Sequence, residues 1–342
     1  MPRQTTLWIG EKKLGRFVNS SDNVMDSLYF YIKDLSLKIR YSFKSLFLDN
    51  GAYSAARKEI DLNPERVKEI QESLNPDLTI PLDYPFVAGT PRSVMEEKWS
   101  KTIENYLEWQ QTTNLHGRLV PIVHAWSVRS LISNVKLLQK HADSEMLAIG
   151  SIVCFGYNRY TGYFQDRQPR RELIDMLINA VQAVRKFSDF GVHVAGFGSS
   201  PLMLHLGYFC GVNSTDTTGY RRKAAYGKIS LPGTGDRHVG RKDATWGVRK
   251  LKDKDLRLLR ECECPICRED QTRLWTSWEA RAIHNKYVLQ YEEVRARGFL
   301  ERDKSEYEKF LDDMFATTGL SYLWRYTKIR ANYVPVDLWY LK

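Results

Sequence analysis

Short apolar runs alternate along the chain with longer amphipathic stretches, and polar or acidic residues close several of those runs, so the sequence predicts an α/β protein. The class expected is a (β/α)8 TIM-like barrel with a small C-terminal appendage. Its 342 residues accommodate one barrel of about 250 residues plus that appendage. Runs rich in Ile, Val, Leu and Phe read as buried parallel strands at Leu46–Asp49, Leu78–Asp83, Leu119–His124, Leu147–Val153, Val192–Phe197 and Tyr208–Ser214. Helical stretches lie between them: Pro64–Leu74 behind Asn63 as N-cap, then Arg92–Gln111, Val128–Lys140 and Arg170–Phe187. Six alternating strands suit a doubly wound sheet equally well. The barrel is preferred because Asp49, Asp83, His124, Gly150 with Ser151, and Asp216 stand at or just past strand ends, which in a barrel line one face. After Asp216 the alternation stops, and helical sequence returns over Trp275–Ala296 and Lys304–Phe315. The expected division is a catalytic barrel over 1–258 and the appendage, packed on it, over 259–342.

With 43% hydrophobic, 12% aromatic and 27% charged residues, the chain has the composition of a globular protein, which excludes global disorder. No run approaches the roughly 20 apolar residues of a membrane helix, and the N-terminus lacks the apolar centre of a signal peptide. A soluble, cytoplasmic protein with no membrane partner is therefore expected. Lys and Arg outnumber Asp and Glu by 51 to 41, a net charge of +10 that suits a polyanionic partner without requiring one.

Three of the five cysteines, Cys262, Cys264 and Cys267, fall within six residues. That spacing suits a turn wrapped around one ion, and His284 on a later helix would complete a tetrahedral Cys3His zinc site. Four protein ligands leave no open position, so one structural zinc per chain is expected and the appendage is read as zinc-binding. Cys154 and Cys210 stand alone in apolar runs and read as small buried hydrophobes.

A single Asp at a strand end is commonly a cap or an ion-pair partner; several in order are less easily explained that way. Leu48-Asp49-Asn50-Gly51-Ala52-Tyr53 resembles the Asp-Ser-Gly-Gly/Ala-Phe catalytic segment of the tRNA-guanine transglycosylase family. Ser214-Thr215-Asp216-Thr217-Thr218, with Arg221, Arg222 and Ala224-Ala225-Tyr226-Gly227 after it, is similar to that family's nucleophile segment. The Cys-x-Cys-x-x-Cys group and the later His284-Asn285 complete the resemblance, which spans Leu46 to Asn285 and is most like the family's DNA-modifying branch. The resemblance implies Asp216 as the nucleophile on C1′ of a guanosine and Asp49 as the acid/base that serves the departing and arriving bases. That division suits cleavage of a glycosidic bond through a covalent intermediate. It also implies Asp83 as acceptor for the N1–H and 2-amino edge of guanine, with Gly150 and Ser151 presenting backbone groups to the base. Where the family has Gln-Gly this chain has His124-Ala125, so His124 is assigned to the base site. His193 and Gly196 are the further candidates there, although His193, like His205, lies in an apolar run and reads first as a core residue. The Gly196–Ser200 stretch lacks phosphate-loop spacing, which excludes a nucleoside-triphosphate site.

Between Gly219 and Lys242 seven cationic residues face Asp236 alone, and Tyr220 and Tyr226 are interleaved with them. Arg221, Arg222 and Lys223 are therefore expected to grip nucleic-acid phosphates. The resemblance implies exchange of guanine for a 7-deazaguanine base of the preQ0 type, with DNA the favoured polymer and tRNA the alternative. Accessory proteins or a homodimer are left open. A non-catalytic nucleic-acid-binding subunit is disfavoured because Asp49 and Asp216 are both retained. A nucleoside hydrolase on a zinc-stapled barrel would not need the basic stretch.

Overall fold

A computed structural model describes residues 5–11, 16–32, 42–56, 58–86, 90–150, 167–239, 251–316 and 318–333. They fall into two compact units, one within Trp8–Ala195, Cys210–Ser214 and Ile329–Lys342, the other within Met1–Leu7, Gly196–Phe209 and Thr215–Lys328. No described helix is long and apolar enough to cross a membrane.

The strands are β1 (Thr6–Glu11), β2 (Asn23–Ser27), β3 (Ser45–Asp49), β4 (Leu78–Thr79), β5 (Ile122–Val123), β6 (Met146–Ile149), β7 (Gly191–Val194) and β8 (Ser214–Thr217). They form one sheet in the order β4-β3-β2-β1-β8-β7-β6-β5, and the pairings from β1 to β4 and from β5 to β7 are all parallel. Thr79 and Leu119 form a parallel bridge, with Thr79 N–H donating to Arg118 O at 3.0 Å and Val120 N–H to Thr79 O at 2.8 Å. That bridge ties β4 to the chain three residues before β5, and β4 and β5 are the two strands at the ends of the sheet order, in line with the (β/α)8 expectation. The strands are buried on both faces, so they read as near-continuous apolar runs. Trp8, Met25, Phe47, Ile80, Val120, Ile122 and Ala148 make up a core cluster in this unit, with Trp8 edge-on to Phe47 at 5.4 Å.

Crossovers are made by α1 (Ala52–Ala56), α2 (Pro64–Leu74), α3 (Arg92–Thr112), α4 (Val128–His141) and α5 (Arg167–Phe187). The start of α2 follows from local chemistry, because Asn63 Oδ1 accepts from Arg66 N–H at 2.9 Å and Pro64 opens the first turn. It stops at Asn75, whose φ of 46° is left-handed. Ser127 and Ser130 cap α4 reciprocally.

Two expectations are corrected. Tyr208–Ser214 is not a strand: α6 (Pro201–Cys210) takes its first three residues, and the strand is β8, which begins where that run ends. The segment PLMLHLGYFC is apolar all round and carries no period, whereas STDT shows no apolar signal. The sequence reading also lacked β1 and β2, short strands that end in Glu11 and Ser27 and carry Asp26 within them.

The other unit contains α7 (Gly219–Ala225), the antiparallel pair β9 (Lys228–Ile229) and β10 (Arg237–His238), α8 (Asp253–Arg260), α9 (Pro265–Asp270), α10 (Arg273–Thr276), α11 (Trp278–Arg302), α12 (Lys304–Ala316) and α13 (Ser321–Tyr333) as far as Lys328. Its organiser is α11, which packs on α7, α9, α10, α12 and β9. Buried polar side chains of α11 satisfy neighbouring backbone. Arg281 donates to Ala224 O at 2.8 Å and Leu274 O at 2.9 Å, closing α7 and α10. Asn285 accepts from Ser230 N–H at 2.7 Å and donates to Tyr220 O and Lys228 O, both at 3.1 Å.

Candidate active site and metal centre

In the sheet-bearing unit, Asp49 closes β3 and its Oδ2 accepts from Ser27 Oγ and Gly51 N–H, both at 3.1 Å. Gly51 has φ +79°, and a Cβ there would stand 2.7 Å from the Tyr29 nitrogen, so the turn after Asp49 requires glycine. Asn50 beside it is buried and donates from Nδ2 to Pro81 O at 2.6 Å and to Asp83 Oδ1 at 2.9 Å. The other oxygen of Asp83 lies 2.6 Å from His124 Nε2. His124 is itself held by Asn134, which donates to its carbonyl at 2.8 Å, and its ring packs 5.4 Å from that of Phe86. Gly150 lies against the imidazole: a Cβ there would be 2.6 Å from His124 Cε1.

Asp83, His124 and Gly150, which are 26 residues or more apart in sequence, are thus brought together, with Asn50 as the member sequence reasoning missed. Nothing local signals Asn50, because its reach to Asp83 depends on the parallel neighbours β3 and β4. Ser151 and Cys154 lie outside the described residues. His193 is fully buried on β7, with Nδ1 at 2.7 Å from Ser214 Oγ and Phe47 edge-on at 5.0 Å. Burial lowers its pKa to about 3, so it is a neutral imidazole.

In the other unit, Asp216 lies on β8 and its Oδ1 accepts from Gly196 N–H at 2.5 Å. Gly196 takes a left-handed φ of 69°. Gly198 N–H reinforces the same turn, donating to Thr215 Oγ1 at 3.0 Å. Burial pushes the Asp216 carboxyl up to about 6, with the Gly196 N–H pulling the other way. Such a group is mostly ionised at neutral pH and weakly enough solvated to act as a nucleophile.

Beyond it, α7 carries the three expected phosphate contacts, in three different settings. Arg222 is exposed, Arg221 lies over the Tyr220 ring at 5.5 Å, and Lys223 pairs with Asp236 at 2.7 Å. Desolvation lowers the pKa of Lys223, and Ser230 Oγ donates to the same Asp236 at 3.0 Å. Arg241 and Lys242 lie outside the described residues.

The metal-type side chains converge as the spacing predicts. The ligand atoms of Cys262, Cys264, Cys267 and His284 all lie within 4.8 Å of one another. His284 Nδ1 stands 3.8, 3.4 and 3.4 Å from the three sulfurs in chain order. A tetrahedral ion with bonds of about 2.3 Å to sulfur and about 2.05 Å to nitrogen requires N···S edges of about 3.5 Å. His284 Nε2 lies 2.8 Å from Ser230 O, which fixes the proton on Nε2 and turns the Nδ1 lone pair to the sulfurs. The Cys264 sulfur also accepts from Cys267 N–H at 3.2 Å at the start of α9. The cluster can hold a zinc ion and leaves no ligand position for water.

The family profile described as Queuine tRNA-ribosyltransferase matches residues 12–318. A tRNA-guanine(15) transglycosylase of Methanococcus aeolicus is 24% identical over 262 residues, covering 73% of this chain and 36% of the relative. A Queuine tRNA-ribosyltransferase of Psychrobacter cryohalolentis is 23% identical over 278 residues, covering 76% of this chain and 66% of the relative. The chain therefore spans about a third of one relative's length and just under two thirds of the other's.

Proposed function

Because the chain belongs to the queuine tRNA-ribosyltransferase family, we propose that it is a pentosyltransferase that exchanges guanine in a nucleic acid for a 7-deazaguanine base. The carrying observation is Asp216, a carboxylate on β8 anchored through one oxygen by Gly196 N–H and raised to about 6 by burial. In this reading an Asp216 oxygen bonds to C1′ as the C1′–N9 bond breaks, and guanine departs with the bonding pair. Asp49 supplies the proton that neutralises the departing base and takes one from the incoming base, whose nitrogen then displaces Asp216 from C1′. Two displacements retain the anomeric configuration and restore the enzyme. Asp83, with His124 and Gly150 about it, receives the base; His193 and Ser151 remain assigned to the same site.

Zinc held by Cys262, Cys264, Cys267 and His284 would tie α9 to α11 and supply no reaction chemistry. Arg221 and Arg222 are the better placed phosphate contacts, since Lys223 is already paired with Asp236.

For the polymer two readings stand. DNA with a preQ0-type base is the reading drawn from the resemblance to the DNA-modifying branch, and tRNA is favoured by the activities for which both relatives are named. The test is incubation of the chain with guanine-labelled DNA and, separately, labelled tRNA, each with and without a 7-deazaguanine base. Base-dependent release from one polymer assigns the substrate. A polymer adduct that survives denaturation and disappears in Asp216→Asn supports the nucleophile, and release without any adduct refutes it.

A further inference from the structure

We propose that Asn50 is a positioning residue that, together with His124, presents the Asp83 carboxylate as a two-point acceptor selecting bases with adjacent N1–H and 2-amino donors. The inference rests on the base-exchange reading and names the specificity device within it. Three observations carry it.

First, the Asn50 amide has no freedom left. Its two N–H donors go to Pro81 O and Asp83 Oδ1, and its oxygen accepts from Ala52 N–H at 2.9 Å. It therefore ties the turn after Asp49 to the segment following β4 and to the Asp83 carboxylate. Second, among the described residues each Asp83 oxygen has one protein partner, Asn50 on Oδ1 and His124 on Oδ2. A carboxylate offers about four lone-pair positions, so one on each oxygen is left for a ligand. A base with two parallel N–H donors satisfies both, whereas a base with one leaves a buried acceptor unmet. Third, the frame is packed against movement: Asp83 is 6% and His124 1% exposed, and Gly150 leaves no room for a side chain beside the imidazole.

The experiment measures equilibrium dialysis of tritiated guanine and of tritiated hypoxanthine, which lacks the 2-amino group, against the full chain and its variants. Thermal melting of each protein confirms folding. The wild-type chain is expected to prefer guanine. Asn50→Ala should lower the guanine-to-hypoxanthine affinity ratio by about tenfold, the weight of one hydrogen bond to a charged group. Asn50→Ser, which retains one donor, should fall between the two and stands in should the alanine variant not fold. His124→Gln keeps an N–H donor for Asp83 and should preserve the ratio that His124→Ala loses. A merely structural role would weaken both bases equally and leave the ratio unmoved, which overturns the positioning proposal while the base-exchange reading stands. Failure of the wild-type chain to bind either base overturns both.

Discussion

Asp216→Asn separates the catalytic cost of a raised carboxyl from its structural role. The asparagine Oδ1 can keep the bond from Gly196 N–H, so the substitution removes charge and leaves the anchoring contact in place. Burial raises the Asp216 pKa from 3.8 to about 6. For a carboxyl raised on folding, the stabilising contribution is fully present below the unfolded value and is lost as pH rises through the folded one. Between pH 5 and pH 8 the loss attributable to this group is about 1.4 kcal/mol. This is a ceiling, because the side chain is only part-buried and solvent screens the ionised form. Urea unfolding at intervals across that window, with zinc present throughout, should show wild type losing stability relative to Asp216→Asn as pH rises. The variant should become the more stable protein at pH 8 while forming no covalent adduct. Base exchange by wild type should rise roughly tenfold from pH 5 to pH 7 as the carboxylate ionises. A stability difference that does not change with pH, or an exchange rate falling over that interval, would refute the raised carboxyl.

The metal centre predicts about one zinc per chain by elemental analysis, with Cys264→Ser or a chelator lowering the melting temperature; metal-free protein of unchanged stability would contradict it. Gly150→Ala should weaken guanine binding with little change in zinc content, since the new methyl would stand 2.6 Å from His124 Cε1. Unaltered binding would show that the imidazole yields without cost. Arg222→Ala should reduce the slope of log K against log salt by about 0.7 on single-stranded or 0.9 on duplex substrate. Lys223→Ala should leave that slope nearly unchanged and lower stability instead, because it takes from Asp236 its cationic partner and leaves it the Ser230 hydroxyl. Equal slopes for wild type and Arg222→Ala would remove that phosphate contact.

Periodicity and residue type alone made much of this protein legible. The alternation of apolar runs with amphipathic stretches led to the α/β class, and Asn63-Pro64 placed the start of α2 to the residue. The cysteine spacing with His284 named a cluster whose ligand atoms do converge. These features are local, or depend on one ion's geometry, so a linear chain displays them. Where a helix was apolar on every side, as in α6, the period vanished and the strand beyond it could not be seen. Contacts between strand ends were hidden for a different reason. The bonds from Asn50 and His124 to Asp83 span 33 and 41 residues, and they exist only because the loops following successive strands are packed together. The pairing of Lys223 with Asp236, which removes one cation from an apparently uniform basic run, has the same origin. Residue types near strand ends announce the available chemistry, but which side chain restrains which is decided by through-space distance, and only folding sets that distance.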